Sequence, residues 1–122
     1  MKILGIDYGK RKIGAAIGDT ETKLVEPLTA LIDFKTIINN QMIKKVIIGN
    51  PGGKIGEEIE RFGQKLGEDL NLPIEYFDET LTTQDAQKAL IESGGSRKSR
   101  KQKEDAVAAS LMLQYYLETH VS

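Results

Sequence analysis

Three carboxylates in this chain stand where they could share a divalent cation. Asp7 ends the first apolar run, Ile3-Leu4-Gly5-Ile6-Asp7-Tyr8-Gly9. Glu79 ends a later one, Ile74-Glu75-Tyr76-Phe77-Asp78-Glu79-Thr80. Asp105 opens the last expected helix, in Lys103-Glu104-Asp105-Ala106-Val107-Ala108-Ala109. Taken singly, each has an ordinary reading: Asp before Gly is turn chemistry, Glu79 a polar strand end, Asp105 a first-turn acid. Together they repel one another unless a cation sits among them. Hard ions such as Mg²⁺ favour carboxylate oxygen and keep several waters. Such a site with positive charge around it suits cleavage of a polyanion.

The positive charge is local. Formal net charge is −1, so nothing pulls the whole molecule toward nucleic acid. Yet Lys10, Arg11, Lys12, Arg97, Lys98, Arg100, Lys101 and Lys103 are eight of the 17 basic residues, and they flank Asp7 and Asp105 in sequence. We expect Lys10, Arg11, Arg97, Lys98, Arg100 and Lys101 to hold flanking phosphates without reading base sequence. Ser93–Lys103 is polar, Gly-containing and self-repelling, so it is expected to be poorly ordered without substrate.

A length of 122 residues suits one domain, 1–122. The absence of cysteine removes disulfides and thiolate metal sites and suits a cytoplasmic protein. No apolar run approaches the ~20 residues of a membrane span, and the N-terminus leads straight into a strand without a signal peptide.

The elements that must position the acids follow from periodicity. Residues 2–7 and 12–18 read as a hairpin joined through Tyr8-Gly9-Lys10-Arg11. Residues 24–32 form a weaker edge strand with Pro27 inside it. A short helix near 33–42 precedes a buried strand at Val46-Ile47-Ile48, which ends in Gly49-Asn50-Pro51-Gly52-Gly53. That loop reads equally as a plain turn or as backbone that approaches phosphate. Ile55, Ile59, Phe62, Leu66 and Leu70 fall at helical spacing, and 74–78 is a fifth strand. Thr82 with Asp85 resembles a capping box for a helix to about 92. The last helix is expected from about 102 to 118, with Asp105, Ala108, Ala109, Met112 and Tyr116 on one stripe and Asp105 at the positive end of its dipole. The implied fold is α/β, with a three-strand meander and two parallel strands in one mixed sheet flanked by helices. Strand ends one, four and five then share an edge, where such folds collect ligands.

Four ordered blocks carry a resemblance over nearly the whole length. Gly5-Ile6-Asp7-Tyr8-Gly9-Lys10-Arg11-Lys12-Ile13-Gly14-Ala15-Ala16 is similar to the GIDxGxKRIGxA opening of the YqgF, or RuvX-like, family of the ribonuclease H-like superfamily, with Asp19 at its downstream Asp. Val46-Ile47-Ile48-Gly49-Asn50-Pro51 resembles its VVGLP turn. Asp78-Glu79-Thr80-Leu81-Thr82-Thr83 resembles DERLTT, and Asp105-Ala106-Val107-Ala108-Ala109 resembles DxxAA. Thr80 stands where the family usually has Arg, and Asn50 where it has Leu. The segment after Pro51 is also shorter.

The resemblance implies a metal-dependent nuclease core with Asp7, Glu79 and Asp105 as its acids. It also implies a role in maturing the 5′ end of pre-16S rRNA during ribosome biogenesis, or, from the family's older name, Holliday junction cleavage. The expected reaction is phosphodiester hydrolysis with two Mg²⁺ or Mn²⁺ ions held by those acids, on structured RNA or branched DNA, by a monomer or weak homodimer. Two rivals remain open. Gly-Ile-Asp-Tyr-Gly also resembles the first phosphate loop of actin-like kinases, which would make this a small ATP-binding protein. A nucleic-acid-binding module without activity is the other.

Overall fold

In the computed structural model, residues 1–9, 13–28, 33–78 and 97–120 are described, and for 97–106 the description covers the backbone alone. Lys2–Tyr8 (β1), Ile13–Asp19 (β2), Val25–Leu28 (β3), Phe34–Gln41 (α1), Ile43–Gly49 (β4), Gly53–Leu70 (α2), Ile74–Phe77 (β5) and Arg97–His120 (α3) follow in chain order. The five strands make one sheet in the order β3-β2-β1-β4-β5. β1–β2 and β2–β3 are antiparallel, while β4 and β5 run parallel to β1. This is the expected mixed α/β sheet of ribonuclease H type.

β1 is central because it is apolar on both faces. Its odd residues face α3 and its even residues face α1 and α2, so two cores form. Ile3, Ala16 and Ile47 pack with Ala109, Met112, Leu113, Tyr116 and Leu117 on one side. Leu4, Ile6, Ala15, Val46, Ile48 and Ile59 pack on the other, with Ile55, Phe62 and Leu66 partly buried against them. Each large aliphatic side chain buried in this way contributes about 1.5–3 kcal/mol. The stripe expected on α2 is therefore core.

The boundaries have local causes. Asp33 caps α1 by accepting the Lys35 N–H at 3.1 Å and the Thr36 hydroxyl at 3.0 Å. Met42 and Asn71 end α1 and α2 in the left-handed region, at φ 55° and 54°. β4 begins at Ile43, earlier than the apolar triplet suggested, because a bulge opposite Lys2 and Ile3 breaks the alternation and lets Ile43 and Val46 both face the α1/α2 core. The helix expected near 82–92 lies outside the described residues, as does 29–32.

The largest correction concerns α3. It begins at Arg97, not near 102, so Arg97–Lys103 is helical, while 93–96 lie outside the described residues. Arg, Lys and Gln are good helix formers, and no Gly or Pro follows Gly95 to break the run. Asp105 accordingly lies about two turns inside the helix. The dipole acts within the first turn, so it does not favour the Asp105 carboxylate as expected.

α3 sits unusually close to the sheet. A Cβ at Gly5 would lie 3.1 Å from a Leu113 methyl, and one at Gly18 would lie 3.0 Å from the same group. A second contact fixes the helix laterally. Lys45 Nζ donates to Glu75 Oε1 at 2.8 Å and to the Tyr116 hydroxyl at 3.2 Å. The Lys45 hydrogen bond, above all, holds the Glu75 carboxyl below its usual value, and the Glu75 contact raises Lys45.

Gly5→Ala should therefore destabilise the protein by about 1–3 kcal/mol through overpacking. Denaturant unfolding of Gly5→Ala, Leu113→Ala and the double variant should give less than additive losses, because Leu113→Ala makes the room that the new methyl needs. The Glu75 pair predicts a pH dependence with a definite sign. Its folded pKa is depressed, so its stabilisation is present at neutral pH and is lost as pH falls through the folded value. Glu75 is half-exposed, so Glu75→Gln should cost only about 0.5–1 kcal/mol at pH 7, and the gap to wild type should close in acid.

Candidate active site

Cross-strand register defines one edge of the sheet. Ile6 of β1, Ile48 of β4 and Tyr76 of β5 are successive neighbours. One residue beyond that line stand Asp7, Gly49 and Phe77; one further stand Tyr8, Asn50 and Asp78. Strand spacing puts the Asp7 and Phe77 backbones roughly 10 Å apart. Asp7 is half-buried and, by alternation from Ile3 and Gly5, lies on the face covered by α3. Its cross-strand partner is Gly14.

Of the three expected acids, the structure describes the side chain of Asp7 alone. Glu79 lies outside the described residues, directly after Asp78. Asp105 is in α3, one turn before the buried Ala108 and Ala109, with its backbone only described. Arg97, Lys98, Arg100 and Lys101 share that helix's first turns, likewise by backbone; Lys10 and Arg11 are outside the described residues. Among the described residues no group of three His, Cys, Asp or Glu could hold a metal. The three expected donors are all carboxylates, however, the hard oxygen type that Mg²⁺ and Mn²⁺ take.

Asp19 is separated from this edge. It pairs with Lys2 at the opposite end of β1. There it accepts the Glu21 N–H at 2.8 Å and lies 3.7 Å from the N-terminal ammonium. The backbone hydrogen bond, above all, lowers its pKa. Its role is to shape the β2–β3 turn.

Two devices hold the edge in shape, and neither was read from the sequence. Tyr8 donates its hydroxyl to Glu58 Oε1 at 2.9 Å, with its ring 4.8 Å from that of Phe62. This ties the residue after Asp7 to α2. The bond to the Glu58 carboxylate favours the protonated phenol and raises the Tyr8 pKa. The second device is Asn50. Its backbone N–H donates to Phe77 O at 2.7 Å, and its side-chain oxygen accepts the Gly52 N–H at 2.9 Å. Gly52 and Gly53 take φ 86° and 70°, where a side chain would be strained. The loop is thus a built Asx turn. Leu, common at position 50 in the family that the sequence resembles, could not accept that N–H.

A family model described as RuvX, Holliday junction resolvase, matches residues 1–119. A relative from Caldanaerobacter subterraneus subsp. tengcongensis is 36% identical over 98% of this chain and 97% of its own length. One from Thermoanaerobacter pseudethanolicus is 38% identical over 98% and 97%. One from Rickettsia rickettsii is 34% identical over 96% and 86%. Each of the three is named "Putative pre-16S rRNA nuclease". With a family model spanning almost every residue and relatives of this identity over nearly full length, the chain belongs to the RuvX family of Holliday junction resolvases.

Proposed function

We propose that this protein is a metal-dependent nuclease that processes the 5′ end of pre-16S rRNA in the cytoplasm, as a single 1–122 domain. It is a hydrolase acting on phosphodiester bonds. The observation that carries the reading is Asp7. It sits at the end of the central strand, on the α3 face, at the edge where β4 and β5 also end.

In this reading Asp7, Glu79 and Asp105 hold Mg²⁺ or Mn²⁺, two ions in all. Bound there, the ions would lower the pKa of a water and offset charge on the leaving oxygen. Asp7 contributes a carboxylate fixed by a strand that is buried on both sides. Tyr8, bonded to Glu58, keeps the strand end from swinging. Asn50 fixes the fold of the neighbouring loop and ties it to the end of β5. Lys10, Arg11, Arg97, Lys98, Arg100 and Lys101 bind flanking phosphates, the last four along the first turns of α3.

The family description favours a second substrate, the four-way DNA junction. Cleavage of precursor 16S rRNA and of a four-way junction, each with and without Mn²⁺, separates the two. The proposal expects faster cleavage of the RNA; faster cleavage of the junction would reverse the ranking.

Asp7→Asn should reduce Mn²⁺-dependent cleavage by roughly two orders of magnitude or more, the equivalent of a few kcal/mol of transition-state stabilisation, with the circular dichroism spectrum unchanged. Full activity in that variant would remove Asp7 from the site. Changing Arg97, Lys98, Arg100 and Lys101 together to Ala should flatten the salt dependence of binding by several units, since each phosphate contact contributes roughly 0.7–0.9 to the slope. Binding should weaken for every substrate alike, while turnover at saturation changes less. An unchanged slope would make this stretch of α3 a solvated surface.

A further inference from the structure

A group of aromatic rings lies beside the candidate site and takes no part in it. Phe77 is at its centre, 5.6 Å from Tyr115, 5.7 Å from Tyr116 and 5.2 Å from His120, ring centroid to centroid. His120 stacks on Tyr116 at 5.0 Å and 12°. The chain has three Phe, four Tyr, no Trp and one His, so much of its ring surface is gathered here. Tyr116 is buried, but Tyr115 is 48% exposed and His120 is also exposed. The cluster therefore presents two of its rings to water.

Resting on the nuclease reading of the adjacent edge, we propose that Tyr115 and His120, supported from below by Phe77 and Tyr116, form a stacking platform for an unpaired base of the nucleic-acid strand. Position argues for this. Phe77 is level with Asp7 across β4, on the same face of the sheet, roughly 10 Å away. That is a reach of one or two nucleotides, and Tyr115 and His120 lie against Phe77, so a strand with a phosphodiester at Asp7 could reach the rings. Charge decides which part of the strand they meet. Glu75 and the carbonyl end of α3 lie beside the rings, and Lys45 is already bonded to Glu75 at 2.8 Å. A phosphate would be repelled there, whereas an uncharged base would not. Every base has a π face, so the platform holds the strand without choosing its sequence. Phosphates are then left to the basic turns at the other end of α3.

The test uses the full chain in EDTA, so that binding is read without cleavage, and a short single-stranded oligonucleotide carrying 2-aminopurine. The wild type should quench the probe. Tyr115→Phe should retain quenching and affinity. Tyr115→Leu keeps apolar cover over Phe77 but has no π face; with His120→Ala it should lose the quenching and bind about tenfold more weakly. An abasic strand with the same phosphates should bind wild type and variant equally. Unchanged affinity of the double variant for the base-bearing strand would overturn the proposal, and so would an equal loss on the abasic strand. A Tyr115-dependent dimer in sedimentation, with no effect on the probe, would reassign the rings to a second copy. Cleavage in Mn²⁺ is scored separately. Loss of quenching in a protein that cleaves nothing would sink the nuclease reading and leave the platform standing.

Discussion

The closeness of α3 to the sheet is the constraint on which the rest depends. Leu113 fills the space that side chains at Gly5 and Gly18 would take, so the helix lies almost on the backbone of β1 and β2. Small residues on the helix, Ala108 and Ala109, complete the approach. Dispersion falls off steeply with separation, so a core this tight resists sliding. It therefore fixes the helix that carries Asp105 against the strand that carries Asp7. A looser helix would let any ligand set drawn from both elements spread.

Much of this was legible in the sequence, for a physical reason. Strand and helix periods leave marks every two or three to four residues, and β1, β2, α2 and the stripe from Ala108 to Tyr116 all carry them. The parallel placement of β4 and β5, and so the shared edge of Asp7 and the loop that opens at Gly49, followed from the alternation of strands and helices; Glu79, expected at the same edge, lies outside the described residues. The start of α3 was misjudged because a basic run looks alike in a solvated loop and in a solvated helix. Composition suggested repulsion, but the helix propensity of Arg, Lys and Gln prevailed. The pairs Tyr8–Glu58 and Lys45–Tyr116 were invisible. Each joins residues from separate elements, and nothing local to Tyr8 or Tyr116 names the partner.

Position, more than residue type, divides the acids of this chain. Asp7 and Asp19 both sit near strand ends, and both belong to the motif that marks the family. One stands at the carboxyl edge of three parallel strands, with its face covered by α3. The other folds back on a turn at the far end, with a backbone N–H and the N-terminal ammonium beside it. Glu75 is different again, since Lys45 binds it between strand and helix. The same carboxyl group thus supplies a candidate ligand, a turn and a brace within one small sheet.

The two borders of the sheet are unequal. Pro27 lies within β3, opposite Ala16, and proline is tolerated in a paired strand where its nitrogen faces away from the neighbour. The outer border of β3 therefore lacks a donor in its middle, and Glu26 adds charge beside it. Another chain cannot zip along it. Among the described residues the other border is β5, and its four residues allow a few hydrogen bonds at most. Within the described sheet, then, one border is short and the other is interrupted by proline, which limits pairing in a protein whose central strands are apolar enough to template aggregates.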